Sequence, residues 1–381
     1  MAKHTAKKTE SSGLFGIINS NRTAESHWGK NCFNSSFPTA VACYMLANDI
    51  PAIYNKLEYQ KGKLQVVSSE ISLRDVFRCG DLSLSSIDFQ FESRYEPYQE
   101  FAFDIVDGID LVVKNIDGEF LSPLEIKLTV LPTSATSTRS EKDWGCELVI
   151  RSATTSYCAL GMYETVKNEA TAVRTLFERD CSGVESWTND FEMSRKTHLL
   201  TGCINSFQYK FLLKQKPLLV QTLWKTKGQS PFLSDNAFDV VVWSDYAFSR
   251  LFLDSSESEG TTMSRPMRAS ARLARCLWEL SKSGKINLSS IYRQMAFGTQ
   301  TDKEFAINGE KWRSYVTSDR IITPILSKDV TDKIIEPGYI EKLRPERRFD
   351  QTLYFASKLY GLGCSALRDE SLQCKTEYSQ A

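Results

Sequence analysis

The chain has 381 residues, 41% hydrophobic and 25% charged, an ordinary globular composition with ample length for a large core. Its 47 basic residues balance 47 acidic ones, so strong non-specific attraction of the whole chain to nucleic acid or membrane is not expected, although a local basic face is compatible with neutrality. The ten cysteines contain no CxxC pair and the three histidines do not cluster with them, which argues against zinc; the polar, basic N-terminus lacks an apolar signal core, and no run approaches the ~20 apolar residues of a membrane span. A cytoplasmic protein with reduced thiols is expected.

Residues 1–12 read as a disordered tail, and Pro38 opens a helical stretch through residue 48. Residues 53–67 read as a hairpin turning at Lys61-Gly62-Lys63, 73–79 are ambiguous, and 82–91 alternate with a strand period. Residues 103–131 read as strand, turn, strand. The turn at 115–118 carries Asn, Asp and Gly, residues that tolerate tight or left-handed backbone. A polar loop follows at 133–142, then a short strand at 147–151 and one long helix at 157–179. Residues 190–211 are mixed and helical in composition; 218–225 and 238–244 are strands, the second continuously apolar as suits a sheet centre.

Residues 255–262, SSESEGTT, form the clearest linker, and helices are expected at 267–281 and 286–297. The resulting division is a core at 13–254 and a C-terminal helical or mixed region at 263–370. Strands interleaved with helices predict an α/β fold with a mixed central sheet flanked by helices.

The chemistry concentrates in the hairpin. Asp110 lies in the first apolar strand; fourteen residues separate it from Glu125 in the second, and Lys127 stands two further on. Side chains two apart on a strand share a face, and pairing brings Asp110 alongside them. Such charge on an apolar hairpin must be paired or bound to a metal. Asp, then Glu-x-Lys, is the arrangement of the PD-(D/E)xK nucleases. In that reading Asp110 and Glu125 hold Mg²⁺ through hard oxygens, with the Ile126 backbone carbonyl as a further ligand. Lys127 orients or helps deprotonate the attacking water and stabilises charge on the phosphate. Glu96 or Glu100 is the candidate extra carboxylate. Asp104 and Asp107 rival Asp110 but read as solvated loop residues or caps before the strand. The competing view is a surface strand pair with an ordinary Glu–Lys contact, because the spacing alone is common.

Arg268, Arg272 and Arg275 fall on one helical face and are candidates to contact DNA phosphates or guanine edges; the alternative is a solvated helix face. Lys225 is a further candidate for the same cleft. Asn31, Asn34 and Ser35 read as a helix N-cap region or as base-reading groups.

The segments FGIINSNR (15–22), WGKNCFNSSFPTAVACYM (28–45), VDGIDLVVKN with PLEIKLTVLP (106–132), and DWGCELVIRSATTSYCALGM (143–162) resemble the HindVP family of type II restriction endonucleases. The resemblance implies Mg²⁺-dependent cleavage of double-stranded DNA within GRCGYC, and a companion DNA methyltransferase protecting the same site. It places catalysis on Asp110, Glu125 and Lys127, with Ile109 standing where the motif's name has proline. A palindromic target suggests a homodimer, each subunit cutting one strand. The alternatives are a repair or recombination nuclease on the same core, and a non-catalytic DNA-binding protein.

Overall fold

The computed structural model describes residues 38–39, 41–42, 45–46, 49–83, 86–130, 148–227, 230–232, 240–256, 265–295 and 303–307. The expected tail at 1–12, Asn31, Asn34 and Ser35, the loop at 133–142, residues 257–262 of the expected linker and most of the 263–370 region lie outside the described residues; residues 255 and 256 of that linker end a helix instead.

Apolar strand patterns build a mixed sheet. The first hairpin is β1 (Ala52–Gln60) with β2 (Lys63–Ile71). It turns at Lys61 and Gly62, whose φ angles of 49° and 77° give the left-handed backbone of a two-residue turn. Ser72 then caps a short helix, α1 (Leu73–Phe77), by accepting the Arg74 N–H. The meander β3 (Ile87–Ser93), β4 (Ile109–Asn115) and β5 (Phe120–Val130) follows, with β6 (Leu148–Arg151) beyond it. The later strands are β7 (Pro217–Lys227), β8 (Ser230–Phe232), β9 (Val240–Ser244) and β10 (Lys303–Ile307).

The main sheet runs β2-β1-β9-β7-β5-β4-β3, with β8 paired onto β7; β6 and β10 form a separate pair. β5 lies parallel to β7 and antiparallel to β4. The continuously apolar β9 is buried throughout its length, inside the sheet between β1 and β7, as its composition predicts.

The helices are α2 (Ser152–Val166), α3 (Ala170–Asp180), α4 (Asp190–Arg195), α5 (Thr197–Lys210), α6 (Asp245–Ser256), α7 (Arg265–Ser283) and α8 (Leu288–Gln294). The expected single helix over 157–179 is two helices. It starts earlier, directly after β6, and breaks at a 3₁₀ turn over Lys167–Glu169, where three successive polar residues leave no apolar face to continue. One hydrophobic cluster joins Trp243 of β9, Tyr157 of α2, Phe207 of α5 and Phe248 of α6 to Leu277 of α7 and Ile291 of α8, so residues 265–295 pack into the same core as the sheet. The α/β expectation, a mixed sheet flanked by helices, is met.

Cys181 and Cys203 lie side by side, their Cα atoms 6.6 Å apart; residues 22 apart in sequence are brought together by the packing of α5. The Cys79, Cys158 and Cys276 side chains are buried. Among the described residues no helix is long and apolar enough to cross a membrane.

Candidate active site

The site is assembled where β4, β5 and the start of α2 meet. The β4–β5 turn closes through Gly118, whose φ of 89° a side chain would strain, and through the Asn115 carboxamide, which accepts the Glu119 N–H. The register pairs Leu111 with Leu124 and so sets Asp110 beside Glu125. Pairing with β7 on the other side makes β5 an interior strand, with Ser122 through Ile126 all buried.

Three charges converge there. The Lys127 ammonium donates to Asp110 Oδ2 at 3.1 Å and to Glu125 Oε1 at 2.5 Å. The Ile126 N–H also donates to Asp110 Oδ2, at 3.0 Å. Thr154, on the first turn of α2, donates to Glu125 Oε1 at 2.9 Å. Each carboxylate therefore has one engaged oxygen, while Asp110 Oδ1 and Glu125 Oε2 have no hydrogen bond among the described residues. The side chains of Glu125, Asp110 and Lys127 are 8%, 20% and 23% exposed, so the group is recessed but reachable.

Burial pushes the Glu125 carboxyl up to about 7, with the Asp110 charge adding to the rise, against the pull of Lys127 and Thr154. Burial also works against the Lys127 ammonium, but the two facing carboxylates outweigh it and hold its pKa above the ordinary lysine value. A carboxyl poised near neutrality beside a held cation is the environment in which acid–base and metal chemistry is found.

The donor set fits a hard, strongly hydrated cation. Two carboxylate oxygens are uncommitted, and the Ile126 carbonyl lies on the strand between Glu125 and Lys127. No group of three or more His, Cys, Asp or Glu side chains suited to a metal occurs among the described residues. Few protein ligands suit Mg²⁺, which keeps several of its waters.

The other predicted residues are placed elsewhere. Glu100 pairs with Lys167 at 3.1 Å on an exposed surface, and Glu96 is exposed with no described link to Asp110 or Glu125. Arg268, Arg272 and Arg275 are 6%, 7% and 3% exposed, which corrects their reading as a DNA-facing stripe. Their helix, α7, is enclosed by α2, α3, α5, α6 and β10, so its polar side is also interior. Arg272 donates through Nε and Nη2 to the Met295 carbonyl and lies 4.8 Å from the Tyr292 ring, while Arg275 pairs with Glu279 at 2.6 Å. Lys225 lies on β7, with its side chain outside the described residues. Asp104 does not cap the strand it precedes: its carboxylate accepts the Leu288 and Ser289 N–H groups at the start of α8, at 2.9 and 2.8 Å. Burial opposes its charge, but those amides hold its pKa below the usual carboxylate value.

Thr154 escapes sequence reading. The only local signal is the four hydroxyl residues among 152–156, which also suit a helix start, and nothing in them points 29 residues back to Glu125.

The family model for HindVP restriction endonucleases matches residues 28–360. The type II restriction enzyme HgiDI of Herpetosiphon aurantiacus is 31% identical over 352 residues, covering 91% of this chain and 97% of that protein. The Haemophilus influenzae protein named "Probable type II restriction enzyme HindVP" is 31% identical over 358 residues, covering 91% and 94%. No solved structure matches the chain.

Proposed function

The chain belongs to the HindVP restriction endonuclease family, and from that membership we propose that it is a Mg²⁺-dependent type II endonuclease cutting both strands of DNA within GRCGYC. The observation that carries the catalytic assignment is the convergence of Asp110, Glu125 and Lys127 through direct hydrogen bonds at a recessed point of the sheet.

Asp110 Oδ1, Glu125 Oε2 and the Ile126 carbonyl are the groups that would hold the ion. When bound, Mg²⁺ supplies charge neutralisation at the scissile phosphate and acidifies water. Lys127 carries the protein's own part of the chemistry. Its ammonium, held at the mouth of the carboxylate pair, orients the attacking water and stabilises negative charge growing on the phosphate oxygens. Arg151, an exposed cation at the end of β6 just before Thr154, replaces the arginine stripe of α7 as the candidate phosphate contact beside the site. A palindromic target favours a symmetric dimer, one active site per strand. The reading includes a cytoplasmic setting and a companion methyltransferase protecting host DNA.

Plasmid digestion with Mg²⁺, followed by mapping of the ends, tests this. Discrete fragments ending within GRCGYC are expected, with Glu125→Ala and Lys127→Ala inactive but still binding DNA. Structure-dependent nicking without discrete bands would move the chain to a repair-type nuclease. DNA binding with no cleavage in Mg²⁺ or Mn²⁺ would end the catalytic reading, and wild-type cleavage by Lys127→Ala would end the site assignment.

A further inference from the structure

We propose that Thr154 is a positioning residue of the nuclease site, holding Glu125 so that Oε1 stays engaged and Oε2 stays turned toward the ion. The proposal rests on the metal-dependent reading above and adds a residue outside the Asp, Glu-x-Lys set.

The helix itself supplies the contrast. Hydroxyls in the interior of a helix ordinarily bond back to a carbonyl of the preceding turn. In α2, Thr155 does so to the Arg151 carbonyl, Ser156 to that of Ser152, and Thr165 to that of Met162. Thr154 instead donates out of its helix to Glu125 Oε1 on β5, at 2.9 Å. It is 2% exposed, so water does not substitute for the bond.

A glutamate has three side-chain torsions, and a carboxylate held only by a flexible lysine can rotate either oxygen outward. A second donor from a different element removes that freedom. Thr154 and Lys127 approach the same oxygen from the helix and from the strand, which fixes the carboxylate plane. This is the role of groups that orient metal ligands without touching the ion. The same helix face steadies the other ligand. Tyr157, three residues on, donates to the Asp107 carbonyl at 2.8 Å and accepts the Tyr95 N–H at 3.2 Å, tying down the chain that leads into Asp110.

The test compares Thr154→Val, which keeps the shape and loses the hydroxyl, with Thr154→Ser, which keeps the hydroxyl and loses the methyl. Mn²⁺ binding is measured calorimetrically on DNA-free protein, and DNA binding is measured in EDTA. Thr154→Val is expected to weaken Mn²⁺ binding about tenfold or more, the usual effect of losing such a support. Thr154→Ser is expected to stay near wild type, and both variants should bind DNA normally in EDTA. Equal Mn²⁺ affinity in Thr154→Val and wild type overturns the proposal, as does equal damage in both variants, which would make the methyl group the cause. If Thr154→Val fails to fold, wild-type Mn²⁺ affinity in Thr154→Ala overturns the proposal, and an affinity loss there that Thr154→Ser does not share supports it. If wild-type protein itself takes up no Mn²⁺, the metal reading falls first and this proposal with it.

Discussion

Replacing Lys127 by methionine keeps the aliphatic stem and removes the cation between Asp110 and Glu125. Two charge-assisted hydrogen bonds disappear, at 3.1 and 2.5 Å. Each contributes about 1.5–3 kcal/mol, and breaking one partner of a recessed ion group typically costs about 3–5 kcal/mol. Glu125 partly escapes by taking a proton, since burial already raises its pKa to about 7. A net loss of about 3 kcal/mol is therefore expected at pH 8, shrinking below pH 6 as Glu125 becomes neutral. Divalent ions should offset more of the deficit in the variant than in wild type, because the carboxylate pair then lacks its only cation among the described residues. The assay is urea unfolding at pH 5.5 and pH 8, in EDTA and in Mg²⁺, with plasmid cleavage alongside. A Lys127→Met protein as stable as wild type in EDTA at pH 8 would refute the reasoning.

Arg272→Ala should destabilise the protein by about 2–4 kcal/mol, because it leaves the buried Met295 carbonyl without its two donors; urea unfolding measures it, and unchanged stability would return this arginine to the surface. Glu100→Gln should cut plasmid DNA at the wild-type rate, since its described partner is the exposed Lys167; a large loss in turnover would make Glu100 the extra carboxylate after all. Asp245 is buried, its Oδ2 has no hydrogen-bond partner among the described residues, and burial raises its pKa to about 7 against the pull of the Lys216 and Tyr246 amides. The native state thus binds this proton more tightly than the unfolded chain, so the contribution is present below about pH 4 and lost as pH rises through 7. Asp245→Asn should accordingly gain stability relative to wild type between pH 5 and pH 8, on the order of 2 kcal/mol, read from urea midpoints at the two pH values.

The hairpin was legible because its signals are local. Apolar strands flank an Asn-Asp-Gly turn, and period-two spacing puts Glu125 and Lys127 on one face. The apolar run of β9 announced its interior position in the same way. The arginine stripe of α7 misled because helical periodicity shows which residues share a face, not what lies against that face. Enclosure by four helices and a strand is decided by the whole fold, and Arg272 finds its partners on α8 and at Met295. The same limit hid Thr154, a helix residue whose partner sits on β5, and the approach of Cys181 to Cys203. Glu96 and Glu100 precede the hairpin in sequence, but the 3₁₀ turn over Glu96–Phe101 leaves both residues exposed.

Charge accounting at the site leads to a last expectation. With both carboxylates ionised, Asp110, Glu125 and Lys127 carry a net charge of −1, where an incoming phosphate would lie in the proposed nuclease reading. A chain with no net charge supplies no general attraction to offset that repulsion. A divalent ion reverses the local sign, so DNA should bind more tightly with Ca²⁺ than in EDTA. Removing one negative charge should do part of the same work without any ion. At a separation of ~5 Å and an effective dielectric between about 20 and 80, one charge is worth roughly 1–3 kcal/mol, less after salt screening. Glu125→Gln should therefore bind the target duplex in EDTA about fivefold or more tightly than wild type at pH 8, while cutting nothing when Mg²⁺ is added. The gain should fade toward pH 6, where wild-type Glu125 itself becomes neutral. Fluorescence anisotropy with a labelled duplex at the two pH values measures both effects. Equal affinities at pH 8 would mean that the DNA phosphate does not approach this pair, and the active site would have to be sought on another face of the molecule.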